Sequence, residues 1–142
     1  MKKLIFIFGR SNLVMENAYK NIAKELAIEN RCYNFYSFPE AYKHPIDQAR
    51  ITDLLLKQED LQVAITHSEA MLMRLQTRIA QGRISKEQVL LLYAVGKTPT
   101  ILKIDDCGRI ENWPKNFFGN QLLESVNRTL AAIKRNKPTV SN

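Results

Sequence analysis

The stretch Ala64–Glu69, read AITHSE, sets a histidine straight after the short apolar run Leu61–Ile65, interrupted by Gln62, and just before a helical pattern. An imidazole changes charge near neutral pH and can donate or accept a hydrogen bond. His67 is thus placed to touch a phosphate or a partner chain, since open α/β sheets bind ligands beyond the carboxyl ends of their strands. The ordinary alternative is a histidine that caps the following helix or fills the crevice. Gly9-Arg10-Ser11-Asn12 lies between an apolar run and a helical pattern. It forms either an anion-holding helix start or a plain strand-to-helix turn. Glu40 is a carboxylate close behind the run Cys32–Ser37. It stands as a residual metal ligand or base, or as the cap of the next helix. His44 reads as a solvated or helix-start residue, with ligand contact as its other role.

Arg74 and Arg78 fall one turn apart, on the face expected to lie opposite an apolar stripe, and Arg83 and Lys86 follow. Such a row meets nucleic-acid phosphates or an acidic protein surface, or else is simply a solvated face. Cys32 and Cys107 are far apart, with no CxxC and no histidine at ligand spacing. They read as reduced thiols, and a structural zinc site is excluded.

The elements that must position these groups follow from periodicity. Lys2–Phe8, Cys32–Ser37 and Leu61–Thr66 read as strands. Met15–Ile28 reads as a helix, with Ala18, Ile22 and Leu26 on one face. Pro45 suits the first turn of a second helix, running to about Lys57. Ser68 is the expected N-cap of a third, with Met71 or Leu72, Leu75 and Ile79 inward and Gly82 ending it. Ser85–Gln88 has capping-box spacing. Val89–Val95 and Thr100–Asp105 read as a strand pair, and Asp105-Asp106-Cys107-Gly108 as a turn. Trp113-Pro114 breaks the chain before a last helix, about Gly119–Lys134, with Leu122, Val126, Leu130 and Ile133 expected inward. Trp113, Phe117 and Phe118 are expected to lock that helix onto the sheet or to form an exposed aromatic contact.

Alternating strands and helices imply a mainly parallel sheet with right-handed crossovers. The expected fold is a three-layer α/β domain over residues 1–135, with a C-terminal strand pair and helix, and a disordered tail over 136–142. The 142 residues suffice for one core, and 45% apolar with 25% charged residues is ordinary for a soluble domain. No apolar run reaches the roughly 18 residues of a membrane span, and Met1–Phe8 lacks a signal-peptide cleavage site. The expectation is a cytoplasmic protein without membrane contact. The net charge of +7 favours acidic partners: nucleic acid, nucleotide or an acidic protein.

From Phe38 to Glu124 the chain resembles the C-terminal half of bacterial ABC-type ATPases, the overcoming-lysogenization-defect-like and RecF-like group. Pro39-Glu40-Ala41-Tyr42-Lys43-His44-Pro45 is similar to that family's PEAHLHP segment after the Walker B strand. Ile65-Thr66-His67-Ser68-Glu69 is similar to its ETHSE switch region, and Leu75–Ser85 to its basic helix and following turn. Asp106–Phe118 is similar to its DENG…WPEGFF ending. The resemblance implies a miniature P-loop NTPase-like fold and makes His67 the switch histidine. ATP with Mg²⁺ is the cofactor it would bring, and a related ATPase or a self-dimer the partner.

Departures from that pattern fall on the chemistry. By alignment on Pro39, the family's metal-binding and catalytic positions hold Ser37 and Phe38. Counting from Gly9, the G-K-S/T of a Walker A loop falls on Val14, Met15 and Glu16. No ABC signature is found, and phosphoryl transfer needs the metal and positioning groups thus missing. The resulting expectation is a catalytically inactive ATPase-like interaction module with no cofactor and no metal, associated with phage or defence systems. A residual nucleotide-binding ATPase and nonspecific nucleic-acid binding are the alternatives.

Overall fold

The computed structural model describes residues 2–114 and 121–136, with side chains described over 2–114 and 128–135. In chain order the elements are β1 (Leu4–Gly9), α1 (Asn12–Ile28), β2 (Tyr33–Ser37), α2 (Pro45–Leu56), β3 (Leu61–Ile65) and α3 (Glu69–Ala80). A 3₁₀ turn (Lys86–Gln88), β4 (Val89–Ala94), β5 (Thr100–Ile101) and α4 (Gln121–Asn136) follow. The sheet order is β2-β3-β1-β4-β5, parallel except for β5. This is the three-layer, mainly parallel α/β architecture expected from the alternation of strands and helices.

β1 lies between two parallel neighbours and reads as a continuous apolar run because both its faces are covered. Leu4, Phe6 and Phe8 pack with Leu55 of α2 and with Met71, Leu72, Leu75 and Ile79 of α3. Ile5 and Ile7 turn to the other face and pack with Met15, Ala18 and Leu26 of α1. The alternation of side chains along a strand thus builds two cores from one segment. The crossover from β1 to β2 passes β3 in one direction, whereas that from β3 to β4 passes β1 in the other. Right-handed crossovers running opposite ways place their helices on opposite faces. The chain therefore diverges at the carboxyl ends of β1 and β3, the switch point where such sheets form crevices.

Local signals fix the element ends. The Ser68 hydroxyl accepts from Met71 N–H at 3.1 Å, as expected of an N-cap. Gly82, at φ +74°, closes α3 with N–H bonds from Gly82 to Ile79 O and from Arg83 to Arg78 O. α1 begins at Asn12, three residues ahead of its apolar periodicity, with Ser11 as N-cap. The second half of the expected strand pair is shorter than read: only Thr100–Ile101 pairs with β4, and Ile104 bridges Ile110 instead. Asp105 turns the chain there by accepting from the N–H groups of Cys107 and Arg109. Those bonds, that of Arg109 foremost, hold its carboxyl below the usual carboxylate range.

The last helix corrects the sequence reading. Leu130 and Ile133 were expected inward, but they are 59% and 63% exposed. An amphipathic pattern records only that one face of a helix is apolar; it does not supply a surface to cover that face. The expectations for Leu122, Val126, Phe117, Phe118 and residues 137–142 of the expected 136–142 tail lie outside the described residues; Asn136 ends α4, and Trp113 is 39% exposed.

Candidate functional site

Gly9 ends β1, and its lack of a side chain is a packing requirement. A Cβ there would lie 2.7 Å from Met15 Cγ and 2.9 Å from Ala94 O. The glycine lets the first turn of α1 close against the end of β4, and this brings Asn12 over the carboxyl edge of the sheet. Across the switch point, His67 Nε2 lies 2.9 Å from Asn12 Oδ1. With the amide oxygen accepting, the imidazole proton sits on Nε2. The two segments that diverge from β1 and β3 are thus bridged by a side-chain hydrogen bond.

Phe38 closes the other side. Its N–H donates to Ile65 O at 2.9 Å, carrying the β2–β3 ladder one step past β2. The chain then turns at φ +50°, a left-handed conformation that a bulky residue adopts at a cost of roughly 1–3 kcal/mol. In this pose the Phe38 ring stacks on His67, with centroids 4.9 Å apart and planes 17° apart.

Glu40 follows in a double turn, with Ala41 N–H donating to Phe38 O and Lys43 N–H to Glu40 O. It was expected to cap α2 or to serve as a metal or base group. The cap is in fact His44, whose Nδ1 accepts from Ile46 N–H at 3.2 Å. Glu40 points inward instead, 9% exposed, and its Oε2 accepts the His67 main-chain N–H at 2.9 Å. Its Oε1 is buried without a hydrogen-bond partner among the described residues. A second strut runs from the Ser68 hydroxyl to Gln48 Oε1 at 2.7 Å, and Gln48 Nε2 donates to Lys43 O. Loop 38–44 is therefore tied at both ends, and Tyr42 projects from it fully exposed, at φ +62°.

The end of β2 offers no carboxylate to a magnesium ion. Ser37 and Phe38 occupy the end of β2, and the Phe38 ring covers one face of His67. Met15 and the Ala94 carbonyl fill the space beside Gly9. Among the described residues, no three His, Cys, Asp or Glu side chains gather closely enough to hold a metal ion. The carboxyl edge does offer the first turn of α1, whose Ser11 makes no side-chain cap.

Arg74 and Arg78 do not lie opposite the buried stripe. At 3.6 residues per turn both border it, and they reach across to Asp53 on α2. Arg78 donates to both Asp53 oxygens, at 2.8 and 3.1 Å, and Arg74 donates to one of them. The Arg78 bond above all, joined by that of Arg74, holds Asp53 below the usual carboxylate range. Lys86 lies 3.7 Å from Asp106, and Arg83 is exposed. Of the site residues named from sequence, the fold brings Asn12, Glu40 and His67 together and sets the Arg74–Lys86 row elsewhere. Phe38 and Gln48 were missed as structural partners. No sequence signal marks Gln48, whereas Phe38 was visible only as a departure from a motif.

A family model described as a protein of unknown function, DUF3696, matches residues 84–125. That stretch runs from the capping turn through β4, β5 and the Asp105 turn into α4. No curated protein and no solved structure matches the chain.

Proposed function

We propose that this chain is an ATPase-like interaction module without phosphoryl-transfer chemistry of its own. In this reading it docks through the carboxyl edge of its sheet onto an ABC-type ATPase of the kind it resembles. The observation that carries the reading is the stack of Phe38 on His67. Where the resemblance would require a carboxylate to hold metal and polarise water, an aromatic ring instead occupies the crevice against the switch histidine. Phosphoryl transfer needs metal-bridged phosphates and a positioned nucleophile, and a phenyl ring supplies neither.

Exposed apolar side chains on the same edge favour a protein partner. Leu13 stands at the start of α1, Tyr42 and Ile46 flank the start of α2, and Val95 follows β4. Tyr42 on its tethered loop has the rigidity and amphipathic character of an interface anchor. A small basic product of a mobile element that blocks or triggers a defence ATPase fits this picture.

Titration of the purified chain into an ABC-type ATPase bearing intact PEAHLHP and ETHSE segments tests the reading. Binding with a changed ATP turnover is expected. Tyr42→Ala should weaken it about tenfold or more, as truncating an anchor does. No binding and unaltered turnover would remove the proposal. The uncapped start of α1 keeps a second reading in play, a residual nucleotide site at Gly9–Asn12 facing His67. Calorimetry with ATP and Mg²⁺ decides it: heat that disappears in His67→Ala supports it, and no heat at millimolar nucleotide disposes of it.

A further inference from the structure

We infer that the free edge of β2 is a self-association surface, on which a second copy of this chain pairs antiparallel about Phe35. Among the described residues β2 is the outermost strand of the sheet on its side. Phe38 N–H donates inward to Ile65 O, and β2 pairs with β3 in the register Tyr36↔Ala64. Main-chain groups alternate direction along a strand. Asn34 and Tyr36 therefore serve the β3 ladder, while the N–H and C=O groups of Tyr33, Phe35 and Ser37 point away from the sheet.

That outward set is symmetric about Phe35. An antiparallel copy sets Phe35 opposite its own mate and Tyr33 opposite Ser37, and every outward N–H then meets a C=O. Identical patches that satisfy each other about a two-fold axis form a closed dimer. The strand lacks the charged and proline guards against such pairing. YNFYS contains no Lys, no acidic residue and no proline, so no like charges meet across the axis.

The side chains are held over the faces of the sheet, clear of that edge. Tyr36 OH donates to Gln62 Oε1 at 2.9 Å, and Tyr19 OH lies 2.9 Å from Tyr33 OH. Tyr19 also stacks on Phe35, with centroids 3.8 Å apart. Phe35 remains 37% exposed, and a second copy brings its ring against the mate. The net charge of +7 opposes association of two copies, so screening by salt should tighten the dimer.

The inference is independent of any ATPase partner, and its test uses the purified full chain alone. Sedimentation equilibrium should show the 16.4 kDa species converting to twice that mass with rising concentration, and more readily at high salt. Phe35→Lys and Phe35→Glu should each stay monomeric, because like charges then face each other on the axis. Mixing the two should restore a dimer, and this restoration also reports that both variants are folded. A wild-type chain that stays at 16.4 kDa throughout overturns the inference. So does a dimer that persists in Phe35→Lys, a mixture that stays monomeric, or growth into open oligomers.

Discussion

Two glycines with similar backbone angles separate the cost of conformation from the cost of contact. Gly82 has φ +74° and Gly108 φ +79°. A Cβ on Gly82 meets nothing within 4 Å, whereas one on Gly108 would sit 2.1 Å from the Gln76 carbonyl oxygen of α3. Gln76 Nε2 in turn donates to Gly108 O at 3.0 Å, so a helix side chain fastens the main chain of the Asp105 turn. Gly82→Ala should cost about 1 kcal/mol from the left-handed angle alone. Gly108→Ala should cost about 3 kcal/mol, since strain and overpacking add. Urea denaturation of the two variants checks the difference, and equal losses would contradict it. The sequence shows both glycines as turn formers. Only the fold shows that α3 lies against Gly108, because Gln76 is distant along the chain.

At the scale of elements, α2 and α3 are joined by the clasp of Asp53 with Arg74 and Arg78, and by Thr52 Oγ1 donating to Met71 O at 2.8 Å. Asp53 sits below its unfolded pKa, held there first by its bond from Arg78. At pH values between its folded and unfolded pKa, the unfolded chain binds more protons, so stability rises with pH. The contribution is therefore complete above the ordinary carboxylate range and is lost as pH falls through the folded pKa. Asp53→Asn should lower stability at pH 7 by about 1 kcal/mol. It should also flatten the acid limb of the stability profile, which thermal melts from neutral to acid pH measure. An acid limb as steep as that of the unaltered chain would count against the clasp. The spacing of Arg74 and Arg78 was plain in the sequence, and their partner was not. The same arginine pair reads as a nucleic-acid stripe or as an interhelical clasp until a carboxylate from another helix is placed beside it. α4 shows the converse: its apolar periodicity is legible, yet Leu130 and Ile133 lie exposed.

Across the whole molecule, the two cores share β1, since Phe6 faces α2 and α3 while Ile7 faces α1. The layers should therefore unfold together. Phe6→Ala and Ile7→Ala should each lower a single transition, by about 3–5 and 2–5 kcal/mol respectively. Far-ultraviolet circular dichroism and tryptophan fluorescence should trace coincident curves in both variants. Separate transitions would show that the layers fold independently.

The sequence by itself determined the order of the elements, the first strand, the Ser68 and Gly82 caps and the crevice position of His67. These rest on periodicity and capping, which act between residues close along the chain. Tertiary structure decided the rest. It made Glu40 a buried strut beneath His67 in place of a helix cap, and it turned Phe38 to stack on the imidazole. It bound Asn12 across the switch point, paired Asp53 with two arginines and set β2 at the end of the strand order. Each of these depends on which strands become neighbours, and that order is set only when distant apolar faces close on one another.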